Sequence, residues 1–265
     1  MMKSLPHLFA MVFIASTLVP GVARANDEEE LVKLSYLDGR PATVGIDAIN
    51  KVLAPIGTHI SLAPIPADAA PYIAASRTRQ LTEDEGQHVM ALFALHRGQL
   101  LQAIAQAGRK QEAHRGGYLT TSDVGDTPYP KLFDMKAIPA DVKPVAQAKY
   151  GKFHVNTSDD GFGLDELMTI VSGGPWIWFF RLPNGDPVKL TVGPLRPGGK
   201  AVRVSYAGLV PHAAFLNAPD GLTVAYAIGP KNFRMRYDDR SVAGADILGT
   251  NPWIDFTGSA PKLRN

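Results

Sequence analysis

The chain has 265 residues, of which 45% are hydrophobic and 20% charged, with no cysteine and a mean hydropathy close to zero. These are the proportions of a soluble globular protein, and they exclude disorder, a collagen repeat and a disulfide-stapled mini-protein. The formal net charge is only +2, too small an excess for a protein that grips phosphate backbones.

Met1 to Ala25 reads as an export leader. Lys3 gives a short positive start, Leu8 to Val19 is an apolar run, and Ala23-Arg24-Ala25 has the small-x-small pattern of a cleavage site. The run is shorter than the roughly 20 residues of a membrane span, so the expectation is a periplasmic or secreted protein without a stable membrane anchor. Cleavage would leave 265 − 25 = 240 residues and remove two cations, so the 27 basic groups fall to 25 against 25 acidic ones. The charges are also evenly spread. Residues 26–116 hold nine basic and eleven acidic groups, and 117–265 hold sixteen and fourteen; no nucleic-acid partner is expected.

Residues 26–116 predict a mainly helical region with a few strands. Ile46 to Leu53 fits a short helix ended by Pro55 and Gly57, and His59 to Ile65 alternates as a strand does. Thr82 and Glu85 form a Thr-x-x-Glu capping box ahead of Val89, Leu92, Phe93, His96, Leu100 and Ile104, which predicts one helix running to Gly108. His88 follows Glu85 as in a helical di-metal site, but such sites need a second Glu-x-x-His pair that the sequence lacks. His96 reads as a half-buried packing residue. Residues 117–149, rich in Gly, Pro, Asp and Thr, predict a long connection.

From 150 to 237 short β-branched and aromatic runs recur with turn signals between them. They are Lys152 to Asn156, Glu166 to Ser172, Trp176 to Leu182, Val188 to Val192, Ala201 to Tyr206, His212 to Leu216, Leu222 to Ile228 and Phe233 to Tyr237. Asn184-Gly185 and Asp220-Gly221 mark the sharpest turns. The fold class expected is therefore α+β, with an antiparallel β-barrel or double-sheet roll at 150–237 and a tail at 238–265. Trp176, Trp178, Phe179 and Phe180 either fill the core or line a cavity; filling is the commoner use. Arg234 and Arg236 share one strand face and would either clamp an anion or face solvent.

Familiar catalytic signatures are missing. There is no Gly-x-Ser-x-Gly, His-Glu-x-x-His or Gly-x-Gly-x-x-Gly, and without cysteine there is no thiol nucleophile. What remains is an ordered series: His154, Glu166 followed after six residues by Gly173, then Gly208, Pro211-His212 and Asn217. Asp165 to Gly173 and Ala201 to Asn217 resemble the two motifs of the cupin superfamily. That resemblance spans about ninety residues. It implies a barrel with a small-molecule site, a homodimer paired through strands, and a metal held by His154, Glu166 and His212. Asn156 stands where the family's fourth ligand would be, the loop from Asn156 to Asp165 is longer than in the family, and the spacing around His212 is one residue longer on each side. Two imidazoles and a carboxylate can make a facial triad for iron, and equally a site for manganese or zinc. The functional expectation is an exported small-molecule-binding protein, with metal-dependent turnover if an ion is held. The rival is a non-catalytic envelope protein with a filled barrel that contacts a partner.

Overall fold

The computed structural model describes residues 31–110, 129–195, 197–230 and 232–264. The leader therefore lies outside the described residues, as do residues 117–128 of the Gly/Pro-rich segment. Among the described residues no helix is long and apolar enough to cross a membrane.

Two five-stranded antiparallel sheets face each other. In one, β10 (His212–Phe215), β7 (Trp176–Arg181), β8 (Pro187–Val192), β1 (Val32–Tyr36) and β2 (Thr43–Val44) lie side by side. In the other the order is β3 (His59–Ala63), β9 (Ala201–Tyr206), β6 (Asp165–Ile170), β11 (Leu222–Ile228) and β4 (Lys131–Asp134). Strand alternation sets what each face meets. Leu34, Phe180, Val188 and Leu190 from the first sheet pack against Ile60, Met168, Ile170 and Val204 from the second, forming the central core. The outer faces are covered as well. Leu167, Val171, Val224 and Tyr226 lie under the helices of the N-terminal half, and Ile177, Phe179 and Ala213 lie under Phe153, Trp253 and Ile254.

Strands and hairpins fall close to where alternation places them; Ala201–Tyr206 and Leu222–Ile228 match residue for residue. The Asn184-Gly185 turn joins β7 to β8, with Gly185 at φ 97° and its N–H on Leu182 O. No strand pairing among the described residues closes the two sheets into a barrel.

Three features differ from expectation. Residues 26–116 are not a separate helical region, since β1 pairs with β8 and β3 with β9, so both sheets need the N-terminal half. The segment before residue 150 is not only a connection: Lys131–Asp134 pairs with β11, and Lys143–Gly151 is a helix, started by Pro144. The long helix predicted after Thr82 is two helices, Glu83–Leu92 and Arg97–Gln106. The Thr82–Glu85 capping box forms, but Leu95 N–H donates to the Tyr226 hydroxyl at 3.1 Å. A bond to the sheet thus replaces the helical one, and the chain restarts with Gln99 Oε1 accepting from His96 N. His96 caps the second helix and is exposed, not half-buried; His88 is also exposed and lies against the Tyr72 ring.

Tyr226 is fully buried. Tyr226→Phe keeps its packing but leaves the Leu95 amide without its partner, and urea denaturation is expected to show a loss of about 1–2 kcal/mol. An unchanged midpoint would mean that the helix break is held by something else.

Candidate functional site

His154 and His212 are 58 residues apart and meet through the backbone. His154 N–H donates to His212 O at 2.9 Å and His212 N–H to His154 O at 3.0 Å. Directly opposed residues in an antiparallel pair project to one face, and the two imidazole centroids are 4.5 Å apart. Both rings are oriented alike. His154 Nδ1 lies 2.8 Å from Lys152 O and His212 Nδ1 lies 2.7 Å from Val210 O. A carbonyl only accepts, so each Nδ1 carries the proton, and in the neutral ring each Nε2 keeps its lone pair.

Asn156 follows two residues after His154, in β5 (Val155–Thr157), and therefore shares its face. Glu166 lies on the inward face of β6, directly opposite Tyr206 of β9. The four side chains converge. Asn156 Nδ2 donates to Glu166 Oε2 at 3.2 Å and stands 3.3 Å from His212 Nε2, while Glu166 Oε2 and His212 Nε2 are 3.4 Å apart. The Tyr129 hydroxyl donates to Glu166 Oε1 at 3.4 Å, and the Tyr206 hydroxyl also bonds this carboxylate. Asn156 Oδ1 is buried and has no hydrogen-bond partner among the described residues.

Gly208 makes this convergence sterically feasible. Asn156 N–H donates to Gly208 O at 2.8 Å and Leu164 N–H to Asn156 O at 2.9 Å. A Cβ on residue 208 would stand 2.3 Å from Leu164 O and 2.6 Å from Asn156 O, inside the backbone of both neighbours. A second two-stranded ladder closes over the group: Asn156 pairs with Met235 of β12 (Arg234–Arg236), and both side chains face inward.

These residues form the floor of a cavity of about 500 Å3. Its walls are largely aromatic, with Trp176, Trp178, Tyr150, Phe233 and Tyr237 among them. The aromatic strand therefore does both things weighed for it. Trp176 and Trp178 turn toward the cavity, whereas Phe179 and Phe180 are fully buried in packed clusters.

Burial and neighbouring charges shift several groups on and around the floor. Burial, and then the neighbouring His212 ring, push the His154 imidazole well below its ordinary value. Burial and the Glu166 charge push the Tyr206 and Tyr129 hydroxyls up, so both remain donors. On the opposite face of β6, Asp165 pairs with Arg109, which also bonds Ser205; burial nevertheless raises the Asp165 carboxyl, against the pull of Arg109.

The three ligands expected from sequence, His154, Glu166 and His212, thus share one floor, with Asn156 inserted among them. Among the described residues no group of three or more His, Cys, Asp or Glu side chains is set to hold a metal ion. The donor chemistry suits a divalent cation: two imidazole nitrogens with lone pairs, a carboxylate and a buried amide oxygen lacking a partner. The Asn156 amide nitrogen now lies between Glu166 and His212, so ion binding would require that amide to turn. Tyr129, Tyr206 and Thr223, which sequence reasoning missed, also line the site. Tyr206 had a legible signal, because its inward position in β9 follows from alternation with Val202 and Val204. Tyr129 had none. Arg234 and Arg236, whose shared face was noted, both bind Asp159, at 2.8 and 2.6 Å.

No family model matches the chain, and no curated protein matches it. Among solved structures it is similar to acireductone dioxygenase from Bacillus anthracis, determined with a cadmium ion in its active centre. The identity is 14% and the TM-score 0.50, with 78% of this chain and 98% of the other covered. The fold is cupin-like.

Gly208→Ala is expected to cost about 1–3 kcal/mol through overpacking, measured by thermal or urea unfolding. A fully stable variant would show that the close approach around Asn156 is not required.

Proposed function

We propose that this protein works outside the cytoplasm and binds a small organic molecule in the cavity floored by His154, Asn156, Glu166 and His212. The observation that carries this reading is the cavity itself. Its volume falls in the range of about 300–1,000 Å3 typical of ligand sites, and it combines apolar walls with a few convergent polar groups. A packed envelope protein has no need of a hollow whose floor is buried imidazole, amide and carboxylate, since burying such groups is costly unless they are satisfied or used.

A second element rests on a different observation. Both floor histidines give Nδ1 to a backbone carbonyl and keep Nε2 for the interior, which is the outer-shell arrangement that orients metal-ligating histidines. His154, His212 and Glu166 would hold a divalent ion, iron, manganese or zinc, with the Asn156 amide oxygen as the fourth group. Such an ion supplies Lewis-acid polarisation of a ligand oxygen, or oxygen activation if it is iron. The protein's own part is clearer. The Tyr129 and Tyr206 hydroxyls fix the Glu166 carboxylate, the aromatic walls exclude water, and the backbone pair at His154 and His212 holds both rings on one face.

Metal analysis of purified protein, produced with these three metals supplied, is expected to find about one ion per chain. His212→Ala should lose it, and Asn156→His should hold it more tightly. Wild-type protein free of metal would remove the ion from the proposal and leave the ligand cavity standing.

A further inference from the structure

The cavity's charges are segregated. Its floor carries Glu166, the one carboxylate among the lining residues, already engaged by Asn156 and Tyr129. The cations Lys131, Lys149 and Arg234 also line it, and all three are exposed residues. Arg234 is held by Asp159 at 2.8 Å. Neither lysine has a carboxylate within ion-pair reach among the described residues. Instead Lys131 Nζ lies 4.9 Å from the Phe133 ring centroid and Lys149 Nζ 5.5 Å from that of Tyr150, so each ammonium lies over an aromatic ring. Between rim and floor the wall is mostly apolar and aromatic; its polar atoms include the Tyr150 and Tyr237 hydroxyls, the latter donating to Lys149 O, and the buried Thr223 hydroxyl, which has no partner among the described residues.

With no ion on the floor, an acid group driven down to it would meet the Glu166 carboxylate, whereas at the rim it would meet two ammonium groups that no carboxylate of the described residues pairs. We infer that the ligand class is an amphiphilic organic anion: an apolar, ring-sized body seated between Trp176 and Trp178, with a carboxylate or sulfonate at the mouth against Lys131 and Lys149. This inference rests on the reading of the cavity as a ligand site, and it adds the ligand's charge and orientation.

Two dyes with one ring system separate the inference from that reading. 1-Anilinonaphthalene-8-sulfonate is anionic, and N-phenyl-1-naphthylamine is the same body without the sulfonate. Energy transfer from tryptophan reports either dye when it sits beside Trp176 and Trp178. The sulfonate is expected to bind about tenfold more tightly, as two partly exposed charge contacts supply, and the ratio should shrink at high salt. A Lys131→Met, Lys149→Met double variant should bring the ratio close to one. Equal affinities in the wild type would overturn the inference and leave the cavity reading intact, and a preference that survives in the double variant would also overturn it. Binding that is undiminished in Ala214→Phe, whose ring would take up part of the cavity, would count as surface adsorption and against both. Failure of both dyes to bind would remove the ligand-site reading together with the inference, and binding of the neutral dye alone would overturn the inference only.

Discussion

The site depends on one backbone contact, the reciprocal pair of hydrogen bonds between His154 and His212. It joins the short strand that carries Asn156 to the edge strand that begins at His212, and it forces both rings onto one face. The contacts that His212 and Asn156 make on the floor follow from it. Once the rings are side by side, the alternation of β5 delivers Asn156, and the pairing of β6 with β9 delivers Glu166 and Tyr206 together. Gly208 is the steric condition for that contact, because any side chain there would push β5 off the floor.

The two sheets serve the floor unequally. The second sheet holds Glu166 between a packed sandwich interior and a helical layer, so its carboxylate stands on a rigid element, as a precise site requires. The side over the cavity is lighter. Among the described residues it consists of the three-residue β12 ladder, the helix Lys143–Gly151 and Tyr129 with Pro130. Local openings are easiest where few apolar contacts are buried, and a ligand of the proposed kind would enter most readily from that side.

Much of the architecture was legible because period-two alternation is a local property. Val188, Leu190 and Val192 announce an inward face by themselves, and Asn184-Gly185 announces its turn. The contribution of the N-terminal half to both sheets was not legible. β1 and β3 are short, and nothing in their composition says that their partners are β8 and β9, more than a hundred residues away. The helix break at Leu95 was hidden for a related reason: the apolar spacing from Val89 to Ile104 fits one continuous helix, and only the Tyr226 hydroxyl on a distant strand makes the interruption favourable. In the proposed site, His154, Glu166 and His212 stood out by their order along the chain and by the resemblance to the cupin motifs. Tyr129 lies beside a Gly/Pro-rich stretch with no periodicity to mark which way its side chain turns.

The claim at the centre of this account is that both floor histidines carry their proton on Nδ1 and present a bare Nε2 to the cavity. Long-range proton–nitrogen correlation NMR of 15N-histidine-labelled protein reads that property directly. His154 and His212 should both appear as the Nδ1–H tautomer, with their Nε2 resonances moving together when zinc is added. An Nε2–H tautomer at either residue would contradict the account, because that ring would then have no lone pair to offer a ligand or an ion on the floor.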